Sequence, residues 1–167
     1  MASAKFVKDL LEDIRQLGCR VWLDGGWGVD ALLRQQTRAH GDVDIVLEAR
    51  CVGRVCDRLR SNGFAPAPTV DACDWNFVFA REHSERVDFH VVTFDATGRG
   101  IYGPPENGAF YPADAFTGQG SVGGVPVACM SATFQVANRV GYPLRPQDYH
   151  DLRALRSAFG ICADARG

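Results

Sequence analysis

The 167-residue sequence has no window approaching the roughly 18 apolar residues of a membrane-spanning helix, so a membrane partner is not expected. Its first residues, MASAKFVKDLLEDIRQL, lack the apolar centre of a signal peptide. Charges there are interleaved with Phe6, Leu10, Ile14 and Leu17 at near-helical spacing. No CxxC pair or regular framework links the six cysteines at 19, 51, 56, 73, 129 and 162. That absence argues against a zinc site and against a disulfide scaffold. A reducing cytoplasm is the simplest reading, with the cysteines as small buried apolar residues. There is no basic excess either. A formal net charge of −2 argues against bulk nucleic-acid binding, which needs cations along a phosphate backbone. The sequence also shows no internal repeat and no low-complexity segment.

What remains is an ordinary globular composition, 46% hydrophobic and 23% charged. The length suits one domain able to bury a core without staples. Residues 4–17 read as a helix. CRVWLD reads as a short strand ending at a Gly25-Gly26 turn, and WGVDALLRQ as a second helix. DVDIVLE alternates as a strand, and RVCDRLRSNG is a helix stopped by Asn62-Gly63. WNFVFA and RVDFHVVTF are strands separated by the charged turn REHSE. The Gly- and Pro-rich stretch 95–124 predicts a hairpin and loops, with VPVACM pairing back. Ser131 caps a helix over ATFQVANRV, and Pro146 opens another whose Tyr149, Leu152, Leu155 and Phe159 form a stripe expected in the core. The last residues, ADARG, are expected to fray. This order predicts an α+β fold, a mixed β-sheet flanked by helices with a helical C-terminal segment. A single domain over 1–167 is expected, with an α/β core over 1–130 and helices over 131–160.

The chemistry concentrates in LDGGWGVDALLRQQTRAHGDVDIVL. Asp42 and Asp44 are two apart on a strand, so both point to one face, where they repel unless a cation lies between them. Mg²⁺ suits them, because it takes oxygen ligands and often bridges carboxylates to phosphates. Taken alone, Asp-x-Asp also fits the polar edge of an amphipathic strand. The context favours a site. Gly25 and Gly26 lie between a strand and a helix, where backbone N–H groups can face an anion. Arg38 and His40 stand just ahead of the carboxylates, in reach of phosphate oxygens. Such a set suits phosphoryl or nucleotidyl transfer, where catalysis is mostly positioning and charge stabilisation.

Asp88 and His90 share one face of a later strand. If that strand neighbours the first, Asp88 completes a three-carboxylate site, as a metal ligand or as the base for an acceptor hydroxyl. His90 is a rival base, or else a strand histidine hydrogen-bonded locally. Asp30 would repel a triphosphate, so it is expected to turn away and orient Arg38 or His40.

These residues resemble the small antibiotic nucleotidyltransferases, the lincosamide nucleotidyltransferases and aminoglycoside 2''-adenylyltransferases, within the DNA polymerase β-like superfamily. The superfamily pattern falls here on Gly25 and Gly26, on Asp42 and Asp44, and on Asp88. TRAHGDVD matches the narrower subgroup, and a C-terminal GY.L...D..D...L element resembles the lincosamide group. The resemblance implies a nucleotidyltransferase fold and transfer of a nucleoside monophosphate from an NTP, ATP foremost, to a drug hydroxyl. It implies Mg²⁺ on Asp42, Asp44 and Asp88, with Gly25, Gly26, Arg38 and His40 at the nucleotide.

From Asp95 onward the chain has six acids (95, 106, 114, 148, 151, 164) and six arginines (99, 139, 145, 153, 156, 166). That balance suits a weakly charged lincosamide better than a polycationic aminoglycoside. An aminoglycoside acceptor, or a non-catalytic nucleotide-binding or antitoxin-like module, are the alternatives. The partners are thus an NTP and a small-molecule acceptor. The sequence has no appended substrate-binding domain, which leaves room for a homodimer in which a second subunit completes the pocket.

Overall fold

A computed structural model describes residues 1–81, 85–139 and 143–162. Residues 82–84 of the expected charged turn REHSE, the Gly-Tyr pair at 141–142 and the end expected to fray at 163–167 lie outside the described residues. Ser3 caps helix α1 (Ala4–Gln16), its side chain accepting the Phe6 N–H, and Val7, Leu10, Leu11 and Ile14 form the buried face. Strand β1 (Val21–Leu23) leads into helix α2 (Gly25–Leu33). Gly25 and Gly26 are thus the first turn of α2 rather than a turn ahead of it. Asp24 is the cap, with its Oδ1 accepting the Gly25 N–H at 2.8 Å.

Strand β2 (Val43–Glu48) is followed by helix α3 (Val52–Ser61), capped by Asn62 as the sequence suggests. The strands β3 (Ala65–Ala67), β4 (Asn76–Arg81) and β5 (Glu85–Phe94) come next. The Gly-rich segment supplies β6 (Gly100–Tyr102), β7 (Phe110–Tyr111) and β8 (Gly118–Val122), which pairs back with β9 (Val125–Cys129). Helices α4 (Ala132–Ala137) and α5 (Pro146–Phe159) follow. Ser131 does cap α4, although the helix stops sooner than its sequence pattern suggests.

Among the described residues nine strands form one mixed sheet, in the order β3-β4-β5-β2-β1-β9-β8, with β6 and β7 branching from β5. Pairing is parallel between β2 and β5 and between β1 and β9, and antiparallel elsewhere. Alternation along the central strands assigns the two faces. Val43, Ile45, Leu47, Val87 and Phe89 enter the larger core with α1, α2 and α3. On the other face Trp22, Val46 and Val92 join Tyr111, Met130 and Phe134 in a smaller aromatic-rich core. That second core covers only part of its face, and the uncovered part presents Asp44, Asp88 and His90. Among the described residues no helix is long and apolar enough to cross a membrane.

Two expectations are corrected. The cysteines are not uniformly buried free thiols: Cys19 and Cys51 form a disulfide, and Cys162 is exposed. The cause is the antiparallel pairing of Val21 with Leu47, which brings the chain flanking β1 and β2 together across 32 residues of sequence. The α5 stripe divides as well. Leu152 and Leu155 are buried, but Tyr149 and Phe159 are 57% and 46% exposed. The helix instead turns two aspartates inward, Asp148 and Asp151, on the i, i+3 spacing of one face. Leu155→Ala should therefore lower unfolding free energy by about 2–5 kcal/mol, whereas Tyr149→Ala and Phe159→Ala should stay within about 0.5 kcal/mol. Urea denaturation checks both.

Candidate active site

The site begins with strand register. β2 and β5 run parallel with Asp44 opposite Asp88 and Val46 opposite His90, so Asp44, Asp88 and His90 share one sheet face. Asp42 sits just ahead of β2. On the far side of β2, the Asp24 N–H donates to the Asp44 carbonyl at 2.9 Å, which fixes the start of α2 beside the carboxylates. Gly25 takes φ +54°, in the left-handed region, and any side chain there would collide with the Asp44 carboxylate. At Gly26 a side chain would meet the His40 ring and the Arg38 guanidinium. Glycine is thus required at both positions, by close approach and not only by turn geometry. Asp24, Gly25, Gly26, Arg38, Asp42, Asp44, Asp88 and His90 all line one open cleft of about 650 Å³.

Arg38 reaches this cleft, but its fork is already held. Its Nε and Nη2 donate to the two oxygens of Asp151 at 2.9 and 2.8 Å. His40 lies behind the wall. Its ring is 3% exposed, packs on Trp27 and meets Asp30 Oδ2 through Nε2 at 2.5 Å. It therefore supports Gly26 from below and does not reach into the cleft. Asp30 does turn away from the cleft, accepting also from the Thr37 N–H and hydroxyl at 3.0 and 2.7 Å. Burial works to raise Asp30, but the hydrogen bonds from His40 and Thr37 win and hold it below the usual carboxylate range.

The cleft carboxylates show the opposite balance. Burial, then the charges of Asp44 and Asp42, push Asp88 up to about 6. Burial and the Asp44 charge raise Asp42 as well, and burial raises Asp24. Burial would lower His90, but its contact with Asp44 and the charges of Asp24 and Asp88 raise it. His90 Nε2 lies 3.7 Å from Asp44 Oδ1, while Nδ1 is 3.4 Å from the Tyr102 hydroxyl, which donates to Asn76.

Carboxylates gathered this way call for a cation, and Asp88 Oδ1 is buried without any hydrogen-bond partner. Among the described residues, however, no three such side chains stand as a ready-made coordination shell. Mg²⁺ keeps several waters and takes phosphate oxygens, so a partial set of carboxylates is the arrangement it needs. The residues fit that ion.

Several cleft residues have no local sequence signal. Gln135 of α4 points to the Gly25 carbonyl at 3.5 Å. Asp148 and Asp151 of α5, with Arg139 and Arg145, complete the far wall. Arg139 Nη2 donates to Asp151 at 2.9 Å, and Asp148 accepts from the Arg145 backbone and Nε at 2.8 and 3.0 Å. The two-aspartate spacing belongs to the C-terminal element quoted above, but only the fold shows what those acids touch.

The sequence profile of the aminoglycoside-2''-adenylyltransferase family matches residues 6–155. A lincosamide resistance protein from Staphylococcus haemolyticus is 27% identical over 152 residues, 91% of either chain. The lincomycin-bound structure of the lincosamide antibiotic adenylyltransferase LnuA is similar with TM-score 0.76 and 27% identity, over 91% of this chain and 93% of that one. ANT(2'')-Ia in complex with adenylyl-2''-tobramycin shares the fold, with TM-score 0.70 at 19% identity over 93% and 88% of the two chains. With a profile spanning all but its ends and a carboxylate-lined cleft on the matching fold, the chain belongs to the aminoglycoside-2''-adenylyltransferase family, among the small antibiotic nucleotidyltransferases.

Proposed function

We propose that the protein transfers a nucleoside monophosphate from an NTP, ATP foremost, to a hydroxyl of a lincosamide-like antibiotic, with Mg²⁺ and release of pyrophosphate. The observation carrying this reading is the parallel register of Asp44 and Asp88 beside the N-terminus of α2. Asp42 and Asp44 would hold the ion, whose contribution when bound is charge neutralisation at the phosphates. The N–H groups at the start of α2 face the triphosphate oxygens, and Arg38 adds positive charge beside them.

Asp88 accepts the proton of the acceptor hydroxyl. The hydroxyl oxygen forms its bond to the α-phosphorus as the bond from that phosphorus to the bridging oxygen breaks. Pyrophosphate leaves with the electron pair. His90, the rival base, is already engaged between Asp44 and Tyr102, which favours Asp88.

The acceptor has room in a second cavity of about 510 Å³, lined by His90, Tyr102, Phe110, Tyr111 and Asn138. It shares His90, Tyr111 and Asn138 with the main cleft. Tyr102 and Tyr111 stack at 5.4 Å between centroids, and among the described residues the lining carries no carboxylate to attract a polycation. That favours a lincosamide, as does the higher identity to the lincosamide relatives. The family profile favours the second reading, an aminoglycoside acceptor.

Incubation with Mg²⁺, each NTP and a panel of lincosamides and aminoglycosides separates the two. Mass spectrometry should find a nucleotidyl adduct on a lincosamide, with pyrophosphate released. An adduct confined to aminoglycosides selects the second reading, and no adduct on either class sinks both. Asp42→Asn and Asp44→Asn should each lower turnover by more than about a hundredfold, the scale that losing outer-shell partners alone can reach.

Protonation gives an independent check. Asp88 has a raised value in the folded protein, so its contribution to stability is fully present below its unfolded value of 3.8 and is lost as pH rises through about 6. In metal-free protein Asp88→Asn should thus raise the melting temperature at pH 8 and do so much less at pH 5. The proton competes with the cation, so Mg²⁺ affinity in the wild type should rise with pH through the same window. A flat profile across it would exclude Asp88 from the ion's site.

A further inference from the structure

We propose that Asp151 is a positioning residue for the nucleotide, fixing Arg38 and Arg139 from α5 as a paired clamp on the triphosphate. The inference rests on the function proposed above. Asp151 is fully buried at 0% exposure. One oxygen accepts from Arg38 Nε at 2.9 Å; the other accepts from Arg38 Nη2 at 2.8 Å and from Arg139 Nη2 at 2.9 Å. The Arg38 contact is the two-point fork that sets the plane as well as the place of a guanidinium. Both arginines line the cleft with Gly25, Gly26 and Asp44. The Arg38 guanidinium lies against Gly26 itself, where a side chain would strike Nη2.

Anchoring α5 does not need this arrangement. Leu152 and Leu155 already bury its apolar face. A buried ion cluster is a poor source of stability, because well-packed apolar residues of the same volume usually do as well or better. What the cluster supplies is order. An arginine loses much rotamer freedom when it grips a phosphate, and two arginines held in advance by one carboxylate have already lost it. Arg38, Arg139 and Arg145 face Asp151 and Asp148 there, so this wall retains one net positive charge for the anion. The neighbouring contacts stiffen the same loop: His150 Nε2 meets the Thr37 hydroxyl at 3.2 Å, and Thr37 in turn donates to Asp30. Arg38 is therefore flanked by a tether to α5 on one side and a tether to α2 on the other.

The test compares wild type, Asp151→Asn, Arg38→Lys and Leu155→Ala by steady-state kinetics and by calorimetric titration with Mg²⁺–ATP in the absence of acceptor. Asp151→Asn should raise both the KM for NTP and the calorimetric Kd by about ten- to a hundredfold, the scale of losing charge-assisted hydrogen bonds. The acceptor KM should stay put and kcat should change less than the NTP KM. Leu155→Ala should lower the melting temperature and leave KM and Kd unmoved. Arg38→Lys keeps the charge and loses the fork. It should show the same rise, and it carries the test if Asp151→Asn does not fold. An Asp151→Asn protein with unchanged KM and Kd, or with a loss confined to kcat, overturns the proposal. So does an Arg38→Lys protein that binds ATP like the wild type. Wild-type protein that binds no NTP at all overturns the parent reading and this inference with it.

Discussion

Parallel pairing of β2 with β5 sets the Asp44 carboxylate beside that of Asp88, and the rest of the site is arranged around that repulsion. Two acids on adjacent strands, with Asp42 just ahead of β2 and Asp24 just across it from β5, make a concentration of negative charge that the fold leaves partly buried. In the metal-free protein this shows as a raised Asp88 and a His90 drawn toward Asp44. Strand order makes the arrangement unavoidable. Because β1 hydrogen-bonds along β2 and ends just before Asp24, the first turn of α2 must begin beside Asp44. Only glycine can stand at position 25 without striking that carboxylate. The positive end of a helix and the negative end of two strands are thereby placed on one cleft.

The division of the sheet into two faces explains why this charge is tolerable. One face is sealed by α1, α2 and α3 over Val43, Ile45, Leu47 and Phe89. The other is only half covered, by the cluster around Trp22, Tyr111 and Phe134. The uncovered half keeps the carboxylates within reach of water, cation and substrate. α5 closes the opposite side of the cleft through charge rather than through apolar contact alone, and so connects the C-terminal element of the sequence to the glycine turn at its start. Asp30 and His40 do comparable work beneath that turn, as a buried pair supporting Gly26.

Much of this was legible in the sequence, for identifiable reasons. Asp44 and Asp88 lie on strands whose period-2 alternation is plain, with Asp42 just ahead of the first, and Gly25-Gly26 close after a strand is a local signal. The direction of Asp30 was expected from electrostatics, since a carboxylate without a cation repels a phosphate. What was not legible depends on long-range geometry. Arg38 and Asp151 meet across 113 residues, and nothing in either segment names the other. The disulfide follows from the pairing of β1 with β2, not from any cysteine spacing. Tyr149 and Phe159 have helical periodicity, but helix rotation was set by the buried Asp148 and Asp151, which an apolar stripe cannot reveal. The placement of His40 behind the wall likewise depended on Trp27 and Asp30 packing together around it.

The central proposal is that Asp42 and Asp44, with Asp88 beside them, form a divalent-cation seat completed by the triphosphate. Mn²⁺ titration followed by electron paramagnetic resonance, with a non-hydrolysable NTP analogue present, addresses it most directly. The account predicts one bound ion per chain in the wild type, with affinity strongly reduced in Asp44→Asn. Binding in Asp44→Asn indistinguishable from that of the wild type would contradict it.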